Sequence, residues 1–398
     1  MDSYKNELAP ELLGIHSLNS FAAYNSSSRS VMFAQHFSQR LVIDGADEKR
    51  IQTGVEQEFA KYTFNVKMPE DGRIIKVIDR YPQGVGQDSL PFNPETIVIY
   101  ENDKTKEIDY FSIPYYCSYH QFFGFKYEFK EAINKLKPGA YIAKDTIFAD
   151  SSSVGENNSF KYGINANVAF MSIPSVSEDG VMISRDFLKK LRFKIFETRV
   201  VQFGSNQFPL NLYGTKDFYK PFPEIGEHIR EDGVLMMLRD YETDLMPVEM
   251  SIYDTMEPDF IFDKGVYVRG GEGKVIDIRV VSNNTTTKQL PEAITTYIEK
   301  YRKAYTGFHQ TLIDLEIKLK TERKKKFGIN RANISPKLHR LIVESMAVTN
   351  HKAAFLKQNL NLQYRKSPID EYRVEFVIEY TIEPNIGFKL TDTAGGFA

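Results

Sequence analysis

The stretch Glu292–Phe327 constrains this chain more than any other. Ile294, Tyr297, Ile298, Tyr301, Tyr305, Phe308, Leu312, Leu315 and Leu319 recur at intervals of three and four. That spacing predicts one long amphipathic helix whose apolar stripe must be covered by the rest of the fold. The helix closes on Lys318, Lys320, Arg323, Lys324, Lys325 and Lys326, a basic run that suits the negative end of a helix dipole or, alternatively, a nucleic-acid backbone. A second helix is expected over 336–360, with Ser335 as its cap and proline in its first position. The flanking sequence is of β type: 63–67, 73–79, 96–101 and 109–113, then 194–282, then the alternating run Tyr372–Ile382. Residues 167–173 read as a near-continuous apolar, buried strand and 180–184 as its return. A short helix is expected after Asn25-Ser-Ser-Ser, with Val31, Met32, Ala34 and Phe37 at helical spacing. The predicted class is α+β, with the β parts on either side of the helical pair sharing one body.

Composition narrows the function classes. With 398 residues, 42% of them hydrophobic, the chain is long enough for two or three domains, and disorder and collagen-like sequence are excluded. Lys+Arg total 51 against 53 Asp+Glu, a net charge of −2, so any basic surface must be local. The single cysteine, Cys117, excludes a disulfide scaffold and a cysteine-based metal cluster, and fits a reducing compartment. No apolar run approaches the length of a membrane span, and the N-terminus lacks the basic and apolar regions of a signal peptide.

Few residues carry chemistry on their own. Glu178-Asp179, after the 167–173 run, could hold a divalent metal directly or through water, although Ser-Glu-Asp-Gly is equally good turn sequence. Asp44 and Asp47 invite the same idea and read more simply as a loop. Lys389 lies in a glycine-rich segment whose backbone N–H groups could meet phosphate, but no P-loop spacing is present. Gly270-Gly-Glu-Gly273 reads as a hairpin or turn. The histidines are scattered, without HExxH or close pairing, and no serine- or cysteine-nucleophile signature occurs.

Four ordered segments extend the reading. The first is Asn25-Ser-Ser-Ser-Arg-Ser-Val-Met-Phe-Ala-Gln-His-Phe-Ser-Gln39, followed by Gln52-Thr-Gly-Val-Glu56. The second runs from Gly163-Ile-Asn-Ala-Asn-Val-Ala-Phe-Met171 to Ser177-Glu-Asp-Gly-Val-Met-Ile-Ser184. The third is Phe222-Pro-Glu-Ile-Gly-Glu-His-Ile-Arg-Glu-Asp-Gly-Val-Leu235 with its return at 266–281, and the fourth is Ile386-Gly-Phe-Lys-Leu390. In this order they resemble the β (second-largest) subunit of multisubunit DNA-directed RNA polymerases. The matching stretches are its fork segment with G-T-G-x-E, its G-x-N-x-x-V-A-F-M…E-D signature, its flap and its lysine segment. Gln57 stands where the family has a basic residue, and Phe388 where it has the aspartate before the lysine. Subunits divided in this way occur in giant tailed phages, so the resemblance implies a split, viral fragment covering the middle-to-late part of a β subunit.

The resemblance implies a β-rich, multi-domain α+β chain with a double-psi β-barrel-like core, a flap-like β domain and a helical pair. The implied divisions are a fork-like segment at 1–60, the first part of the barrel-like body at 61–193, a flap or wall region with the helical pair at 194–365, and a return to the body at 366–398. The implied reaction is nucleotidyl transfer with Mg²⁺, the principal ion sitting on the largest-subunit partner. Glu178 and Asp179 would approach the second ion through water, and Lys389 would face phosphates. Arg29, Gln35, Gln39 and Glu56 would line the approach of substrate and nucleic acid. Implied partners are the other polymerase chains (the rest of β and β′-like chains), template DNA, RNA product and nucleoside triphosphates, with no membrane. The implied location is the cytoplasm of an infected bacterium, with packaging in the virion left open. The chain stops after Lys389 and before the family's second lysine, so a partner is expected to complete the body and the single chain to be inert. The alternative reading is a non-catalytic phage structural or assembly protein.

Overall fold

The computed structural model describes residues 14–60, 64–81, 93–120, 122–155, 157–172, 174, 181–204, 207–240, 258, 261–269, 272–282, 292–327, 333–349 and 372–384. The chain is a mixed α+β protein, rich in β structure, and every strand pair among these residues is antiparallel.

Two sheets meet along the long helix. In the first, β2 (Gly72–Asp79), β3 (Glu95–Asn102), β4 (Ile108–Pro114) and β8 (Tyr141–Ile142) lie in the order β4-β3-β2-β8. Strand β3 is buried on both faces: Val98 and Tyr100 enter one core, Ile97 and Ile99 the other, as the two-residue period of a strand requires. In β2 a register shift between Ile74 and Lys76 moves the alternation by one residue. Ile74 therefore faces the first core and Ile78 the second, although both numbers are even. A small sheet of β1 (Val66–Lys67), β9 (Ile147–Asp150) and β7 (Glu128–Phe129) closes the first core through Phe148 and Ala149.

The central sheet has five strands: β14 (Lys274–Ser282), β15 (Tyr372–Ile382), β10 (Phe193–Phe203), β6 (Phe123–Lys126) and β5 (Tyr116–His120), in that order. Strand β15 pairs along its whole length with β10, from Phe193↔Ile382 to Phe203↔Tyr372. Tyr372, Val374, Phe376, Ile378 and Tyr380, every second residue, enter the largest core. The strand after the helical pair thus lies between strands that precede the pair, so the flanking β parts do share one body. A three-stranded sheet, β11 (Gln207–Pro209), β12 (Val234–Asp240) and β13 (Lys264–Tyr267), packs on the same core.

Helix α4 (Glu292–Phe327) joins the two sheets, and its stripe is covered in two parts. Tyr297, Ile298, Tyr301 and Ala304 sit on the central core against Phe222 and Phe376. Phe308, Leu312 and Leu315 sit on Ile78, Ile97 and Ile99 of the first sheet. Helix α5 (Pro336–Thr349) returns antiparallel and adds Leu338 and Ile342 to that second core. Ser335 caps it, accepting the Leu338 N–H at 3.0 Å and donating to Asp109 at 2.6 Å. Residues 350–360 of the expected second helix lie outside the described residues. No helix among the described residues is long and apolar enough to cross a membrane.

Candidate functional site

The candidate site grows from α1 (Ser27–Ser38), which Ser26 caps by accepting the Arg29 N–H. Phe33 and Phe37 turn inward, and Phe37 meets Tyr162 edge-on at a ring separation of 4.4 Å and Phe160 at 5.7 Å. The Arg40 guanidinium lies over the Phe37 and Phe160 rings at 4.5 and 4.6 Å, and burial lowers its pKa. With Phe37 facing in, helical spacing puts Met32, Gln35 and Gln39 on the far side and Arg29 on the flank next to Phe33. Arg29, Gln35 and Gln39 are all exposed; Gln35 and Gln39, four residues apart, share one face and Arg29 lies to its side.

Glu56 is placed differently from its expected role. It opens α2 (Glu56–Ala60) and is 2% exposed. Its Oε1 accepts the Thr53 N–H at 2.8 Å and the Thr53 hydroxyl at 3.0 Å, and its Oε2 accepts the Gly54 N–H at 2.9 Å. Lys49 stands 3.5 Å away and donates at 2.7 Å to the Leu18 carbonyl. Burial alone would raise the Glu56 carboxyl; the backbone and hydroxyl donors overcome it and hold the group below the ordinary carboxylate range. The Glu56 carboxylate therefore shapes the Thr53–Gly54 turn. Exposed Gln52 and Gln57 flank it.

The second segment folds onto this unit. Asp47 N–H donates to the Gly163 carbonyl at 2.7 Å, and the Phe160 N–H to the Glu56 carbonyl at 3.1 Å. Asn165 clamps the contact: its N–H donates to Asp47 Oδ2 at 3.1 Å, its amide to the Glu48 carbonyl at 2.7 Å, and its Oδ1 accepts the Arg50 N–H at 3.4 Å. Asp47 is committed to this clamp, and Asp44 lies 3.5 Å from Lys194, so the Asp44–Asp47 loop is structural. Sequence reasoning did not single out Asn165; its signal was an amide inside an otherwise apolar run.

Beyond Asn165 the structure corrects the sequence. Residues 167–172 form no ladder and are exposed, Phe170 at 98%, and Val181 and Met182 are exposed as well. The apolar run is not a buried strand: among the described residues no neighbouring strand covers it. Ser184 instead caps a short helix, α3 (Arg185–Leu188). Glu178, Asp179 and Lys389 lie outside the described residues. Among the described residues no group of three His, Cys, Asp or Glu side chains is placed to hold a metal ion.

The third segment also closes on itself. Gly226, at φ +94°, turns the chain so that its N–H reaches the Val275 carbonyl at 2.7 Å, while the Ile229 N–H reaches the Gly273 carbonyl at 2.9 Å.

A cluster of charges that the sequence did not reveal lies where the two sheets meet α4. Arg80 donates to Asp277 at 2.7 Å and to Glu95, and Arg279 donates to Asp277 at 2.9 Å and to Glu375 at 3.2 Å. Tyr81 donates to Asp277 at 2.6 Å. Burial would raise the Asp277 carboxyl, but the two guanidiniums pull it below its usual range. His309 contacts Ser345 at 3.0 Å, and burial, with Arg80 and Arg279 nearby, pushes its pKa down to about 3. Asp277 is 0% exposed and ties the two sheets together at the centre of this cluster.

No protein-family model matches the chain, and no curated protein matches it.

Proposed function

We propose that this chain is a fragment of the β subunit of a multisubunit DNA-dependent RNA polymerase, contributing to the nucleotidyl-transfer centre and to the wall along the RNA:DNA hybrid. The observation that carries the reading is that the chain between the two parts of its first family-like segment packs on the start of the second, over a hundred residues away. The contact runs through Asn165, Asp47, Glu48 and the Glu56 turn. Arg29, Gln35 and Gln39, exposed on the same unit, supply a cation and two amides for phosphate and base edges.

In this proposal the barrel-like body is of double-psi type, and Glu178 and Asp179 act at the reacting phosphates with Lys389 facing the same group. Mg²⁺, held chiefly by the partner, would supply charge neutralisation at the triphosphate. The chain is inert alone, because the set of reacting groups is divided among subunits. The exposed apolar stretch 167–172 suits a subunit buried in an assembly. It equally suits a phage assembly protein, which would use it for contacts between copies.

Catalysis separates the two. In the assembled complex, Glu178→Ala with Asp179→Ala should leave assembly intact, slow nucleotide addition and weaken apparent Mg²⁺ affinity. An assembled double variant that extends RNA at the unmutated rate would remove both carboxylates from the mechanism.

A further inference from the structure

Among the described residues, the end of α4 projects beyond those that hold the rest of it. Among the described side chains, Leu319 is the last of the helix in the core shared with α5 and the first sheet. Counted back from the His309–Ser345 contact in an antiparallel pair, Pro336 stands opposite about Lys318. Residues 320–327 therefore run past the start of α5 by about 12 Å, at roughly 1.5 Å of rise per residue.

The overhang, with Lys318 just before it, is strongly and unevenly charged. From Lys318 onward the helix carries six cations and one carboxylate, Glu322. Lys320 is offset by Glu316 at 2.6 Å, whereas Lys318, Lys324 and Lys325 are exposed and make no ion pair among the described residues. The helix dipole accounts for cations in the last turn only, and Lys318 stands more than two turns from the end. Lys320 and Lys324, four residues apart, repel each other at a cost to the helix. By helical spacing Lys318 and Lys325 share one side and Lys324 another. The result is a rod about 10–12 Å across, uncovered among the described residues, with cations on more than one side. The major groove of B-form DNA, about 12 Å wide with phosphates on both walls, matches that rod in width and charge.

We propose that the overhang of α4 is a duplex-DNA contact that lies between the phosphate walls of the major groove and binds without reading bases. The choice of nucleic acid as the polyanion rests on the polymerase reading; the location of the contact rests on the overhang.

The test is duplex-DNA binding by the full-length chain alone across a salt series. It compares the natural protein with K318Q/K324Q/K325Q, the charge-retaining K318R/K324R/K325R, and the control K135Q/K137Q/K190Q, which removes three exposed lysines elsewhere. The expected result is a slope of log affinity against log salt shallower by about 1 per contacting lysine, roughly 2 to 3 in total, in the first variant only. The proposal is overturned by an unchanged slope, by an equal loss in the control, by no binding of the natural chain, or by the same lysine dependence on single-stranded DNA. Those outcomes leave the polymerase reading standing, because that reading depends on partner chains. A chain that binds duplex DNA through these lysines yet has no polymerase partner would do the reverse.

Discussion

Asp277 holds two arginines at the junction of both sheets and the long helix, with Arg80 on one side and Arg279 on the other. Removing it leaves both guanidiniums short of their shared partner in a buried site. Asp277→Ala should therefore cost about 3–5 kcal/mol, read as a shifted denaturant midpoint. A change below about 1 kcal/mol would show that the cluster holds nothing together. His309 sets an acid limit at the same place. Its folded pKa of about 3 lies well below the ordinary histidine value of 6.5, so between those values the unfolded chain binds one more proton than the folded chain. Stability is then full above about pH 6.5 and falls as the pH drops, by up to about 1.4 kcal/mol per pH unit. Asp277 and Glu56, both held below the ordinary carboxylate range, add their losses only at still lower pH. His309→Gln should flatten the acid limb between about pH 6.5 and pH 4, measured by denaturation at a series of pH values; an unaltered limb would contradict this assignment.

Elements were legible where their pattern is local. The stripe from Ile294 to Leu319 gave α4, the alternation in Tyr372–Ile382 gave β15, and Ser335 with Pro336 marked the start of α5. The run 167–173 failed on the same logic: its composition suits a buried strand, but burial depends on a neighbour that local sequence does not specify. The family-like segments were readable, yet the contact through Asn165 was not, because it joins residues over a hundred positions apart. The Arg80–Asp277–Arg279 cluster was hidden for the same reason. In Glu56 the residue was singled out and its role was not, since only the fold shows both carboxylate oxygens turned onto Thr53 and Gly54. The exposed run carries its own prediction. Phe170→Ser with Met171→Ser should raise the solubility of the isolated chain and weaken its association with partner chains, measured by sedimentation and co-purification. Unchanged association would mean that the interface lies elsewhere.

At the scale of the whole molecule, β15 ties the chain beyond the helical pair into the middle of the central sheet, and α4 ties that sheet to the first one. A body built in this way can carry exposed apolar and basic features outward without losing its core. The proposed function requires that those features meet other chains and nucleic acid. The most direct measurement is to purify the tagged chain from the cells that naturally make it, identify what accompanies it, and assay the complex for template-directed RNA extension. The account predicts a companion bearing the three-aspartate metal loop of a largest polymerase subunit, RNA extension by the complex, and none by this chain alone. Recovery of the chain only as copies of itself, with no such companion and no RNA synthesis, would contradict it.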